Sequence, residues 1–179
     1  MNSTHPLAPE FEVSEWLNTA APLSLAGLRG RVVVLHTFQM LCPGCVSHGL
    51  PQAKRIREAF AEQDVAVIGL HTVFEHHDVM DADALRVFVK EYRLEFPIGI
   101  DKPANKGAIP LTMQTYALRG TPSLVLIDRW GRLRMSHFGQ IDDLRAGAMI
   151  GRLINESAEI TTELESATTG TSTGRCGID

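Results

Sequence analysis

Cys42 and Cys45 are separated only by Pro43 and Gly44, and two thiols at that spacing can close an internal disulfide and reopen it. If the first sulfur stands at the start of a helix, the unsatisfied backbone N–H groups and the positive end of the helix dipole favour its thiolate. A thiol of ordinary pKa about 8.5 then becomes a nucleophile near neutral pH. Cys42 is therefore expected to attack and the deeper Cys45 to resolve the mixed disulfide. His48 follows three residues after Cys45, so Cys42, Cys45 and His48 also spell part of a metal-ligand set. A structural zinc site wants four ligands, however, and the chain has no second C-x-x-C.

This chemistry needs a strand before the cysteines and a helix after them. Val32 to Phe38 is a short, β-branched, nearly continuous apolar run, the pattern of a strand buried on both faces. Val46 to Glu62 places Ile56, Ala59 and Phe60 at helical spacing among charged residues, with Pro51 expected to kink it. Val65 to Leu70 reads as a second buried strand, so the first unit is a strand-helix-strand crossover with parallel pairing. Asp81 to Tyr92 reads as a helix with Asp81 as N-cap. Phe96 to Ile100 is a weak strand interrupted by Pro97, Lys102 to Pro110 a loop, and Leu111 to Ala117 a short helix. Ser123 to Ile127 and Arg132 to Phe138 form a hairpin about Asp128–Gly131, and Leu144 to Ile154 closes the fold as a helix. Trp16 to Gly30 is an extension able to add β structure to one edge, with Phe11 and Trp16 tying it down. The expected organisation is a flexible 1–10 segment, one domain over 11–158 and a disordered tail over 159–179, where composition collapses to Thr, Ser, Gly and Glu.

The order strand, C-x-x-C, helix, strand, helix, strand, then Gly120-Thr121-Pro122-Ser123 leading into the hairpin, resembles the thioredoxin superfamily, specifically its TlpA-like and redoxin branch, which is related to AhpC/TSA proteins. The resemblance covers about Phe11 to Glu156. It implies an α/β fold: a central mixed sheet flanked by helices, with an N-terminal extension and an inserted helix and loop before the strand that Pro122 heads. It also implies a cis peptide bond at Pro122, facing the cysteines, with Thr121-Pro122 as a ledge for substrate backbone. The residue before the first cysteine is Leu41 where the family usually has an aromatic. His36 stands six residues before Cys42, where thioredoxin carries a buried acid. A buried imidazole there could accept the proton of Cys45, or it could be a core histidine bonded to a carbonyl. His48 occupies a position where the branch often has a glutamate and could tune the pair. Pro51 lies one residue later than the family's proline, implying a local insertion at the helix start.

His71, His76 and His77, with Glu75 and Asp78, follow the second strand at no recognisable metal-ligand spacing and read as a solvated loop. His137 reads as structural, and Cys176 as a third redox thiol or a solvent-exposed one. The expected function is thiol-disulfide exchange on protein or small-molecule disulfides, with a thiol electron donor and no cofactor beyond the redox-active pair. Two alternatives stay open. One is a peroxiredoxin-like peroxidase, disfavoured because Gln39 stands where that family has threonine. The other is a metal-binding or interaction module using Cys42, Cys45 and His48.

At 179 residues, 44% hydrophobic and 21% charged, the chain has the composition of one globular domain. A formal net charge of -4 without any Lys/Arg-rich run speaks against nucleic acid. No run approaches the ~20 apolar residues of a membrane span, and Met1 to Pro6 lacks signal-peptide character, so the expected location is cytoplasmic.

Overall fold

The computed structural model describes residues 5–157; the tail expected at 159–179, with Cys176, lies outside the described residues. Among the described residues six strands form one mixed sheet: β1 (Val13–Leu17), β2 (Val32–Phe38), β3 (Val65–His71), β4 (Ile98–Asp101), β5 (Ser123–Ile127) and β6 (Leu133–Phe138), in the spatial order β1-β4-β3-β2-β5-β6. β2 pairs in parallel with β3, and β3 with β4, while β5 runs antiparallel to β2 and carries β6 as its hairpin partner. Every residue of β2, β3 and β5 is buried. Their continuous apolar runs follow from that central position, whereas the edge strands β1 and β6 are only partly covered.

Among the described residues the α-helices are α1 (Leu50–Ala59), α2 (Ala82–Glu91), α3 (Leu111–Thr115) and α4 (Asp143–Asn155). One face of the sheet, bearing Val32, Val34 and Phe38, packs against Ala53 and Ile56 of α1, Leu85 of α2 and Ile150 of α4. The other face, bearing Val33 and Leu35, packs against Met113 of α3 and against Leu25 and Leu28. Asp81 caps α2 by accepting from Ala84 N at 2.8 Å. Among the described residues no helix is long and apolar enough to cross a membrane.

The extension lays β1 antiparallel on β4, with Phe11 stacked on Tyr116 and edge-on to Trp16. Residues 6–10, expected outside the domain, are hydrogen-bonded to it. Leu133 N donates to Pro6 O, Ala8 N to Gly131 O, and the Tyr116 hydroxyl to Pro9 O. Their sequence carries no strand pattern; the backbone groups at the open side of the β5–β6 turn recruit them. β4 begins one residue after Pro97, whose carbonyl still accepts from Gly69 N, a strand-start position that tolerates the missing proline N–H.

Asp101, at the end of β4, ties the inserted segment to the sheet. Its buried carboxylate accepts from Thr112 N (2.8 Å), Met113 N (3.0 Å) and the Thr72 hydroxyl (2.9 Å). Burial still pushes this carboxyl above its ordinary range, although those bonds oppose the shift.

Candidate active site

The helix after β2 is irregular where the cysteines lie. Helical backbone runs from Pro43 to Ala59, but Cys45–Gly49 form a π turn in which Leu50 N reaches back to Cys45 O. A π turn absorbs one extra residue without breaking the helix. That accommodates the late position of Pro51, which sits in the first turn of α1, where its missing N–H is tolerated.

Cys42 and Cys45 form a disulfide with their Cα atoms 5.2 Å apart. The two sulfurs are not equivalent. Cys42 is half-buried, whereas Cys45 is fully buried at 0% exposure. The Cys45 N–H lies 3.2 Å from Cys42 Sγ and also faces the Cys42 carbonyl at 3.1 Å. That amide, at the open end of a helix, favours negative charge on Cys42. Leu41 beside it is 58% exposed, so the site opens through an apolar lip.

Opposite the cysteines stands the turn entering β5. The Thr121–Pro122 peptide bond is cis, and the Thr121 carbonyl lies 3.6 Å from Cys42 Sγ. The Thr121 hydroxyl is buried without a partner. Pro122 is seated between two glycines: a Cβ placed on Gly44 would stand 3.3 Å from Pro122 Cδ, and one on Gly49 would stand 3.2 Å from Pro122 Cβ. Gly44, inside the cysteine motif, thus gives the proline room to approach. Gly120, at φ +157, has the Phe138 ring against it, and the Arg119 guanidinium sits over that ring.

His36 points from β2 beneath this turn. It is 2% exposed, both ring nitrogens lack partners, and a Cβ on Gly49 would be 3.8 Å from its Nδ1. The alternative of a core histidine bonded to a carbonyl therefore does not describe it. Burial pulls its pKa from 6.5 down to about 4, against a smaller upward pull from Asp143. The imidazole lines a cavity of about 30 Å³ that it shares with exposed His48 and with Gln52, Arg55 and Asp143.

Of those last three residues, Arg55 and Asp143 have no local signature in the sequence. Gln52 is buried and donates from Nε2 to Ile141 O (2.8 Å) and Asp143 Oδ1 (2.7 Å), while Arg55 Nε donates to Asp143 Oδ2 at 2.7 Å. These bonds clasp α1 to the first turn of α4, and they hold the Asp143 carboxyl below its ordinary range. The only trace in the sequence was a glutamine between Leu50 and Ala53 on the buried face of α1.

The loop histidines do not assemble. His71 is buried at the end of β3 beside the Phe38 ring, its Nε2 unpartnered and its pKa pulled by burial to about 4, while His76 and His77 are exposed. His137 Nε2 lies 3.1 Å from Gln140 O. Among the described residues no group of three or more His, Cys, Asp or Glu is placed to hold a metal ion. Gln39 is buried, with its amide oxygen accepting from Phe74 N at 3.2 Å.

Comparison with known proteins places this arrangement among relatives. The AhpC/TSA family model matches residues 6–136. A crystal structure of a thioredoxin-like superfamily protein is 53% identical, with a TM-score of 0.83 over 85% of this chain and 98% of that one. A thiol-disulfide isomerase from Corynebacterium glutamicum is 51% identical, with a TM-score of 0.82 over 86% of this chain and 99% of its own. NHL repeat-containing protein 2 of Bos taurus is 30% identical over 138 residues, which is 75% of this chain and 18% of that protein. The chain thus spans about a fifth of the length of the first curated relatives it matches, 18% and 21%.

Proposed function

The chain belongs to the AhpC/TSA family, and from that premise we propose that it is a thiol-disulfide oxidoreductase whose Cys42–Cys45 pair cycles between dithiol and disulfide. The observation that carries this reading is the pair itself: two cysteines at disulfide distance, one half-buried at a helix start and one fully buried behind it. Metal binding and peroxidase chemistry have no comparable support. The first lacks a ligand cluster among the described residues, and the second a threonine at Gln39.

In the reducing direction Cys42 attacks the disulfide of a protein substrate as thiolate, forming a mixed disulfide and releasing the first substrate thiolate. Cys45 then loses its proton and attacks Cys42 Sγ, so the internal disulfide forms as the second substrate sulfur leaves. The pair gives up two electrons and the substrate disulfide gains them. A thiol donor reverses the cycle. Thr121 and Pro122 offer the substrate a backbone ledge beside Cys42, and Leu41 an apolar contact.

The proton of buried Cys45 needs an acceptor, and we assign it to neutral His36. Transfer from a thiol of ordinary pKa about 8.5 to an imidazole near 4 is uphill by roughly 6 kcal/mol. The imidazole therefore acts during the attack rather than by storing the proton beforehand.

Insulin-disulfide reduction with dithiothreitol as donor tests the function. Catalysis by the wild type should disappear in Cys42→Ser, and Cys45→Ser should trap the mixed disulfide. A wild type no faster than dithiothreitol alone would remove the proposal.

A further inference from the structure

His36 is buried with both nitrogens unpartnered, yet it does not look into a dry core. Its cavity, at about 30 Å³, has room for a water or two and is lined by polar groups able to hold them. The charged or titratable side chains on that cavity come from three elements: His48 from the π turn, Arg55 from α1 and Asp143 from α4. The flanking turn around Pro122 and Gly139 contributes none. Asp143 and Arg55 are bonded to each other at 2.7 Å, and Gln52 holds the second carboxylate oxygen. A negative and a positive group, paired with each other and each about half exposed, thus border the space into which the imidazole opens.

We propose that Asp143 is a positioning residue of the resolving step: its carboxylate stabilises the imidazolium that forms as Cys45 gives up its proton, and Arg55 sets how much of that charge His36 feels. This rests on the exchange chemistry and on the His36 assignment above, and extends both. In the step, the Cys45 S–H proton moves to a ring nitrogen of His36. The freed electron pair on Cys45 makes the bond to Cys42 Sγ, and the bond from Cys42 to the substrate sulfur breaks, with its pair leaving on that sulfur. The imidazolium then returns its proton through the cavity to solvent between His48 and Asp143, where the departing thiolate or buffer takes it up.

Asp143 thereby supplies, from another helix, the negative charge that the histidine itself lacks. Its worth is greatest when the imidazole is charged and small when it is neutral, which makes it specific to the step. Neutralising Asp143 leaves the Arg55 cation alone on the cavity that His36 lines and opposes imidazolium formation. Neutralising Arg55 leaves the carboxylate alone and favours it. A role confined to fastening α1 to α4 predicts instead that both substitutions harm the protein alike.

The test is stopped-flow reaction of the reduced full chain with 5,5′-dithiobis(2-nitrobenzoate), in a Cys176→Ser background so that only the pair reports. The first nitrothiobenzoate release is the attack of Cys42 and the second is resolution by Cys45. Asp143→Asn should slow the second release by roughly three- to tenfold, the effect of half to one pKa unit in the base. Arg55→Gln should speed it by a similar factor, Asp143→Glu should recover most of the loss, and the first release should hold steady in all three. The NMR titration midpoint of His36 should fall in Asp143→Asn and rise in Arg55→Gln. Second releases that move in the same direction in the two variants, or do not move, overturn the inference. A wild type that releases no nitrothiobenzoate overturns the exchange chemistry itself, and this step with it.

Discussion

Gly49 lies so close to the ring of Pro122 that a Cβ on it would stand 3.2 Å from Pro122 Cβ. The helix carrying Cys45 and the turn facing Cys42 are thus held at a separation set by a missing side chain. Alanine in a helix ordinarily stabilises relative to glycine by roughly 0.5–1 kcal/mol. Gly49→Ala should reverse that sign, costing about 1–2 kcal/mol through overpacking, and should slow insulin reduction as Pro122 is displaced. Urea unfolding and the turnover assay read the two effects; a variant that is both more stable and fully active contradicts the packing argument.

Two glycines in α4 serve as the contrast. A Cβ on Gly147 or Gly151 meets nothing within 4 Å. Each change to alanine should therefore stabilise the protein by about 0.5–1 kcal/mol, visible as a higher urea midpoint with unchanged exchange activity.

Stability should fall in mild acid because two histidines are buried neutral. For His36 and His71 the folded pKa, about 4, lies below the ordinary 6.5. Between those values the unfolded chain binds more protons. The contribution is fully present above pH 6.5 and is lost as pH falls toward 4, by up to about 3 kcal/mol for each group. Urea unfolding across that window should show the slope, and a His71→Asn substitution should flatten it. An unchanged slope in that variant would place the acid sensitivity elsewhere.

Asp101 presents the opposite balance of burial and bonding. Asp101→Ala leaves two backbone N–H groups and the Thr72 hydroxyl without their acceptor. It should cost roughly 2–4 kcal/mol, the sum of unsatisfied buried donors rather than of lost charge. Asp101→Asn, which keeps one acceptor oxygen, should cost less. Thermal unfolding of the two variants distinguishes them; equal losses would mean that charge, not acceptor count, is what α3 requires.

The strands, the C-x-x-C pairing and the caps were legible because each is written locally. The apolar run of Val32–Phe38 is the full length of β2, and Asp81 caps α2 as its position implied. The helix after the cysteines was legible in kind but not in form: the late Pro51 signalled an insertion, and only the backbone shows that a π turn absorbs it. Residues 6–10 join the hairpin turn and Tyr116 through backbone groups, which leave no side-chain pattern for a sequence to show. His36 was legible as a candidate but not as an unpartnered one, since partners are a property of its surroundings.

By itself the sequence determined the order of elements, the position of the paired cysteines and the residue types around them, because periodicity, capping and C-x-x-C spacing act over a few residues. Only the tertiary structure decided which distant groups surround those cysteines. Thr121 reaches Cys42 across 79 positions, and Asp143 meets Gln52 across 91. Contacts of that span are set by how β5 and α4 pack on β2 and α1. That packing determines how a buried histidine, a carboxylate and a guanidinium come to share one cavity.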